Sequence, residues 1–184
     1  MIAVFFASMI MTPPKVQVSG VVSWNRKPAR DAVVWLEGGD EKIVPLKKLE
    51  IRQKDKKFEP HISVVSSGTK VGFPNEDQIL HNVFAEYNAK KFDLGLFPKG
   101  RSKEVTFDKS GLVAVLCNIH SEMSCFIMVV DSNHFTKTNS KGEFLLKDIA
   151  AGEYVLKSWH ESRATAKQSI DAAKSLQVSV SLAR

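Results

Sequence analysis

Three side chains that bind soft metal ions lie three residues apart along one short segment: Cys117, His120 and Met123. The chain has only 2 cysteines and 5 histidines, so this clustering of residue types points to chemistry. A thiolate, a distant thioether and two imidazoles form the ligand set of a mononuclear blue-copper site. The segment therefore predicts one such site, with a second histidine supplied from elsewhere in the chain.

The second imidazole is expected from His81, which lies 36 residues before Cys117 at the junction of a loop and a strand. The other three histidines are weaker candidates. His61 lies in a predicted strand near a proline, His134 follows the predicted metal-binding domain, and His160 belongs to the C-terminal segment. We therefore predict His81 as the remote ligand.

Two other uses of the cysteine are open at the level of sequence. Zinc also accepts cysteine and histidine ligands, and Met123 is the feature that favours copper. A disulfide between Cys117 and Cys125 is the main structural alternative, since the chain has no third cysteine. The alternation of Ser124–Val130 is typical of a strand. We therefore expect Cys125 to be a small strand residue.

The elements that must position these residues are predicted to be strands. From Lys15 onward, short alternating or apolar runs are separated by turn residues, at the rhythm typical of a β-sandwich. The metal-binding segment follows the apolar run Leu112–Leu116 and precedes Phe126–Val130. Residues 163–174 are the only segment that favours a helix, and we expect a short one there. The predicted fold class is all-β.

These motifs together resemble those of a known family. The matching segments are Phe73–Asp77 (Phe-Pro-Asn-Glu-Asp), His81–Val83 (His-Asn-Val) and Val115–Met123. On these residues, the segment from about Phe58 to Asp131 resembles the cupredoxins, which are Greek-key β-sandwiches, and the plastocyanin and amicyanin group in particular. The two residues between His120 and Met123 match the amicyanin spacing. The whole chain resembles the methylamine-utilisation-type cupredoxins, which are longer than amicyanin.

The resemblance implies a role for each matching residue. His81, Cys117 and His120 would be the strong ligands of one mononuclear copper, and Met123 would be the weak axial ligand. Asn82 would tie the two ligand loops together and help to position the thiolate, because groups that hydrogen-bond to metal ligands orient them.

The segments on either side resemble a second β-sandwich. Gly20–Leu36, Thr138–Phe144 and Ala151–Leu156 look like strands of a transthyretin-like, carboxypeptidase-regulatory domain. Domain insertions are tolerated at exposed turns. We therefore predict a cupredoxin domain, residues 49–131, inserted into a smaller transthyretin-like domain formed by residues 15–48 and 132–184. The alternative layout is three consecutive units in series.

The first fourteen residues contain an uncharged apolar run, Met1–Met11, followed by Thr12-Pro13-Pro14. A run of about eleven residues is too short to span a bilayer, which takes roughly twenty, so stable membrane insertion is not expected. The run resembles the apolar core of a secretory signal, with Ala7 and Ser8 near a cleavage point, although a positively charged start is missing. We expect the protein to be periplasmic or otherwise exported; an N-terminal strand is the alternative.

The net charge of +6 is modest, and no DNA- or RNA-binding motif accompanies it, so nucleic acid is not an expected partner. The expected partner is a redox protein, either a cytochrome or a dehydrogenase. Five basic residues would steer such a partner if they lie near the His120 face, or would otherwise only keep a loop soluble: Lys90, Lys91, Lys99, Arg101 and Lys103.

The leading functional prediction is transfer of single electrons through a type 1 copper site. The alternative is a periplasmic copper carrier or sensor that uses the same ligands, which sequence does not separate from the first. A third hypothesis is a cupredoxin fold that has lost its metal, against which the complete ligand set argues. An enzyme is not expected, because 5 histidines are too few for the trinuclear centre of a multicopper oxidase.

Overall fold

The computed structural model of the protein describes residues 14–86 and 89–184. This part of the chain contains no helix, so the predicted all-β class is confirmed. It forms eighteen strands: β1 (Lys15–Trp24), β2 (Lys27–Pro28), β3 (Val33–Glu37), β4 (Leu49–Glu50), β5 (Arg52–Lys54), β6 (Lys57–Glu59), β7 (Ile62–Ser66), β8 (Thr69–Pro74), β9 (His81–Ala85), β10 (Phe92–Phe97), β11 (Ser102–Phe107), β12 (Gly111–Leu116), β13 (Ser124–Val130), β14 (Phe135–Lys137), β15 (Glu143–Ala150), β16 (Glu153–Trp159), β17 (Thr165–Asp171) and β18 (Leu176–Leu182).

The strands β4 to β13 form a sandwich that we call the central module, residues 49–131. One of its sheets has the order β10-β9-β12-β13-β7, and a second has the order β11-β8-β4. Phe73 of β8, Val115 of β12 and Ile127 of β13 are fully buried in one apolar cluster between them. Each such side chain stabilises the fold by about 1.5–3 kcal/mol.

The connections of the central module bring distant segments to one end of this sandwich. β9 and β12 are antiparallel neighbours, with Phe84 opposite Leu116. β12 and β13 are also antiparallel, with Leu116 opposite Ser124. The start of β9, the end of β12 and the start of β13 therefore lie together, and the four predicted ligands lie at this end.

The remaining strands form a second sandwich, which we call the flanking module, residues 14–48 and 132–184. β1 pairs in an antiparallel manner with β15 and in parallel with β18, and the facing sheet has the order β14-β3-β16-β17. Val18, Val22, Leu36, Ile149 and Leu156 are buried between these sheets. Both segments of the flanking module thus contribute strands to the same two sheets.

A third apolar cluster joins the two modules. Val33 and Trp159 of the flanking module pack with Ile62, Met128 and Val130 of the central module. The ring of Trp159 also lies against Phe126, with centroids 5.7 Å apart. The flanking module therefore packs on β7 and β13, the strands that begin beside the predicted metal-binding loop.

The predicted helix at residues 163–174 is wrong. Most of this segment is β17, which pairs with β16 from Glu153 opposite Asp171 to Trp159 opposite Thr165. A twelve-residue helix is marginal by itself because nucleation is costly. Pairing with β16 satisfies the backbone and buries Ile170 in the core of the flanking module, so tertiary contacts override the local preference.

Within the described residues, no helix is long and apolar enough to cross a membrane. The segment predicted to be a secretory signal, residues 1–14, lies outside the described residues except for Pro14, whose carbonyl oxygen accepts a hydrogen bond from the N–H of Ala151 at 2.9 Å.

Replacing Gly20 by alanine tests the close packing of β1 between β15 and β18. A Cβ atom at Gly20 would lie 2.1 Å from the carbonyl oxygen of Val178, whereas one at Gly72 of β8 would meet nothing closer than 3.6 Å. We expect Gly20→Ala to lower the free energy of unfolding by about 1–3 kcal/mol in urea denaturation. Gly72→Ala is the matched control, and an equal effect of the two variants would contradict this packing.

Candidate metal centre

The structure brings His81, Cys117 and His120 together. Their donor atoms lie within 4.8 Å of one another. The Nδ1 atoms of His81 and His120 are 3.1 Å apart, and the Sγ of Cys117 lies 3.9 Å from Nδ1 of His120. These separations suit donors arranged around one first-row metal ion at about 2.0–2.3 Å. Three of the four predicted ligands therefore form a cluster whose geometry can hold one metal ion.

The loop between β12 and β13 is closed by its own backbone. The N–H of Cys117 donates to the carbonyl oxygen of Met123 at 3.2 Å, and the N–H of Met123 donates to that of His120 at 3.0 Å. Cys117 and Met123 are buried, while the intervening His120 is partly exposed. The loop thus holds the sulfur of Cys117 in the interior and places the imidazole of His120 at the surface.

The ring of His81 is fixed by a carboxylate. His81 is completely buried, and its Nε2 lies 2.7 Å from Oδ2 of Asp77. A carboxylate accepts hydrogen bonds, so Nε2 carries the proton and Nδ1 presents its lone pair to Cys117 and His120. This tautomer is the one that a metal ligand needs, and a hydrogen-bonded carboxylate also makes the imidazole a better ligand.

Asp77 is itself held by several donors. It accepts hydrogen bonds from the N–H groups of Asp55 at 2.7 Å and Lys56 at 2.9 Å. Partial burial disfavours the ionised carboxylate, but the Lys56 N–H and the His81 ring outweigh this effect and lower the pKa of Asp77. Asp77 is therefore a stable anion beside His81. Its spacing of four residues from His81 is the sequence signal for this role, which the sequence analysis did not identify.

The loop that carries Asp77 is fixed by Asn75, a second residue that the sequence analysis did not single out. Its side chain is buried, and Nδ2 donates to the carbonyl oxygens of Ile79 and Phe97, both at 2.9 Å. Its Oδ1 accepts from the N–H of Asp77 at 2.9 Å. Asn75 therefore connects the loop to β10 and orients Asp77 toward His81.

Asn82 contacts both segments that carry the ligands. Its Oδ1 accepts a 3.4 Å hydrogen bond from the N–H of Asn118, and its Nδ2 donates to Oδ1 of Asp93 at 2.7 Å. Asp93 also accepts from the N–H of Gly95, and these two donors lower the pKa of Asp93. Asn82 thus connects β9 to the residue that follows Cys117.

Met123 is buried in the same apolar cluster as Cys117. Its main chain closes the loop, as described above, and its thioether is the fourth predicted donor. The predicted role of this sulfur as an axial ligand stays a prediction.

The remaining histidines have other contacts. His61 lies between the carbonyl oxygen of Ser124 and the carboxylate of Glu161. His134 lies 3.1 Å from Glu41, and His160 lies 2.9 Å from the hydroxyl of Ser162. None of the three belongs to the cluster formed by the described residues.

Both cysteines are free thiols, so the structure does not contain the alternative Cys117–Cys125 disulfide. Cys125 is fully buried in β13, where burial raises the pKa of its thiol. The two cysteines therefore differ in their surroundings. Cys117 meets two imidazoles, and Cys125 packs in an apolar core.

Comparison with known proteins finds similarity to solved structures. No protein-family model matches the chain, and no curated protein matches it. A copper-containing nitrite reductase from Thermus scotoductus SA-01 is 22% identical over 51% of this chain and 25% of that chain, with a TM-score of 0.44. A purple cupredoxin from Nitrosopumilus maritimus is 20% identical over 45% of this chain and 99% of that one, with a TM-score of 0.40.

Amicyanin from Paracoccus versutus is a further structural neighbour, 19% identical over 47% of this chain and 85% of that chain, with a TM-score of 0.41. These likenesses concern about half of this chain. The assignment of the metal ligands therefore depends on the side-chain geometry of the chain itself.

Replacing Asp77 by asparagine tests how the centre is held. We expect Asp77→Asn to weaken copper binding by about tenfold or more, because loss of a group that orients a metal ligand has an effect of that size. Competition titration with a chelator measures it. Asp40→Asn is the control, since exposed Asp40 has no ion pair among the described residues. Equal affinities of the two variants would contradict the role of Asp77.

Asp77 is also expected to affect stability in acid. The pKa of Asp77 is lower in the folded chain than the ordinary pKa of an aspartate. The ionised carboxylate therefore stabilises the folded chain fully above the ordinary pKa, and this stabilisation is lost as the pH falls through the lowered pKa. In the metal-free protein, the difference in unfolding free energy between the parent and Asp77→Asn should therefore shrink between about pH 5 and pH 2. A difference for Asp77→Asn that stays constant over this pH range would contradict the assignment.

Proposed function

We propose that the chain is a type 1 copper protein that carries single electrons between redox partners. The observation that carries the proposal is the meeting of Cys117, His120 and a buried His81 whose Nε2 faces Asp77 and whose Nδ1 faces His120. Copper held by a thiolate and two imidazoles, with a distant thioether, cycles between Cu(I) and Cu(II). His81, Cys117 and His120 are the proposed strong ligands of one copper, and Met123 is the proposed axial ligand.

The chain's own residues support such a role by keeping the site rigid. His81 is fixed by Asp77, and the main chain of the loop is closed between Cys117 and Met123. Asn82 bonds to the N–H of Asn118, which accords with its proposed role in positioning the thiolate. Donors that are already in place change little between the two oxidation states, so electron transfer requires little rearrangement.

The surface near His120 also favours contact with another protein. Ile79 and Leu80 immediately precede His81, Leu96 lies opposite Asn82 on β10, and Ile119 immediately precedes His120. These four side chains are 40–52% exposed, and exposed apolar side chains that cluster mark interaction sites. The proposed partner is a redox protein, either a cytochrome or a dehydrogenase, that approaches His120 over these residues.

We also propose a domain organisation and a cellular location for the protein. The central module is the proposed cupredoxin domain, and the two segments of the flanking module are one proposed transthyretin-like domain into which it is inserted. The strand pairs that join β1 to β15 and β18 support this layout over three units in series. The proposed location is the periplasm, on the strength of the apolar N-terminal run.

A copper carrier or sensor is the second candidate function. The partial exposure of His120, with exposed Ser121 and Glu122 after it, favours it because an exposed ligand allows direct hand-off to another protein. A reversible copper couple that exchanges electrons with soluble redox proteins, while the metal stays bound, favours electron transfer. Rapid loss of copper to a competing protein favours carriage. Neither candidate function is enzymatic, and we assign no catalytic residue.

Loading with Cu(II) provides the direct test of the proposed ligand set. We expect an intense blue colour in the parent protein, because thiolate-to-copper charge transfer produces it, and its complete loss in Cys117→Ser. The matched control is Cys125→Ser, which changes the other buried cysteine and should keep the colour. Visible absorption spectroscopy measures it. A colourless Cu(II) complex of the parent protein, or loss of colour only in Cys125→Ser, would contradict the proposal.

A further inference from the structure

The net positive charge of the chain comes entirely from the flanking module. Residues 49–131 contain 11 Lys and Arg and 11 Asp and Glu, whereas the rest of the chain contains 15 and 9. The net charge of +6 therefore belongs to the flanking module, and the module with the metal centre is neutral. A partner attracted over a distance responds to this uneven distribution.

One end of the flanking module lies beside the metal-binding loop, and His61 connects the two. Its Nδ1 lies 3.0 Å from the carbonyl oxygen of Ser124, the residue after Met123. Its Nε2 lies 2.9 Å from the carboxylate of Glu161, which belongs to the turn between β16 and β17. That turn is therefore adjacent to the loop that presents His120.

Basic residues gather around the same turn. Trp24, at the end of β1, stacks on His160 with ring centroids 5.9 Å apart, and the guanidinium of Arg184 lies over Trp24 at 5.6 Å. The side chain of Arg184 also donates to the carbonyl oxygen of Ser162 in the turn, at 3.2 Å. Three further cations lie two or three residues after Trp24 or in the turn, and we call them the basic end: Arg26, Lys27 and Arg163.

The charges of the basic end are not neutralised within the described part of the chain. None of its three side chains lies within 4.0 Å of a carboxylate there, and the neighbouring acids have other partners. Asp31 pairs with Arg30 at 3.1 Å and with Lys137 at 3.5 Å, and Glu161 pairs with His61. The basic end and Arg184 together carry four positive charges against the carboxylate of Glu161 in the same turn, so this end keeps a positive potential for a molecule that approaches from solvent.

We propose that the basic end docks an acidic protein, which thereby reaches the metal centre and exchanges electrons with it. The proposal rests on the proposed function. A soluble acidic protein can contact the basic end and the apolar Ile119 beside His120 at once, because His61 links the turn of the basic end to the strand that follows the His120 loop. An anionic membrane is a different partner, and the test separates it from the protein. The flanking module thus attracts the partner that the neutral central module then contacts.

Two double variants of the full chain test the proposal with the same change of charge. Arg26→Glu/Arg163→Glu reverses the basic end. Lys147→Glu/Lys174→Glu is the control, because both lysines lie near the opposite end of β1. Lys147 is two residues before Ile149, which pairs with Val16. Lys174 is next to Ser175, whose hydroxyl accepts a hydrogen bond from the N–H of Gln17. Thermal unfolding first checks that both variants are folded.

The first readout is binding of poly-L-glutamate to the metal-free chain at low salt, measured by calorimetry. We expect Arg26→Glu/Arg163→Glu to weaken binding about tenfold or more and the control to change it about twofold or less, since local potential rather than net charge governs the contact. Equal weakening by both variants overturns the proposal. This readout needs no copper, so it does not depend on the proposed function.

The second readout is oxidation of the Cu(I)-loaded chain by hexacyanoferrate(III), a trivalent anion. The rate should fall about tenfold in Arg26→Glu/Arg163→Glu at low ionic strength, and the difference should vanish at about 1 M salt, where the Debye length is about 3 Å. Equal rates in all three proteins overturn the proposal even when the blue colour confirms the copper site.

A third measurement separates an acidic protein from an anionic membrane. If the chain binds phosphatidylglycerol vesicles at about 0.15 M salt, and only Arg26→Glu/Arg163→Glu loses this binding, the partner is a membrane and the proposal is overturned.

Discussion

The hydrogen bond between His81 and Asp77 organises the candidate metal centre. His81 is completely buried, so the hydrogen-bond partners of its ring nitrogens must come from the protein. The 2.7 Å contact of Nε2 with the carboxylate assigns the proton to that atom and leaves Nδ1 to face Cys117 and His120. Without this contact the three donors would still be neighbours, but the buried imidazole could present an N–H instead of a lone pair.

Residues from distant parts of the chain hold Asp77 in place beside His81. Asp77 is held by the N–H groups of Asp55 and Lys56, and its loop is held by Asn75 through Phe97. These contacts come from the turn between β5 and β6 and from β10. The flanking module adds a contact from another direction, because its Glu161 holds His61 against Ser124 at the end of the ligand loop. Both ligand segments are thus fixed by residues remote in sequence.

Much of the fold class and of the donor set could be predicted from the sequence. Alternation along β1 and β18 predicts strands, and the spacing of Cys117, His120 and Met123 predicts a metal-binding loop. The helix predicted at residues 163–174 failed because pairing with β16 is a tertiary effect that a local pattern does not contain. Asp77 and His61 were missed for a related reason. A carboxylate in a loop and a histidine in a strand acquire their roles only when the partner is brought near.

X-ray absorption spectroscopy of the copper-loaded protein tests the central claim most directly, because it reports the atoms bound to the metal. The arrangement of His81, Cys117 and His120 predicts one copper per chain, with one thiolate sulfur and two imidazole nitrogens among its nearest neighbours. Loss of the sulfur in Cys117→Ser and of one nitrogen in His81→Gly would assign the ligands individually. A shell of nitrogen and oxygen without sulfur in the parent protein would contradict the account.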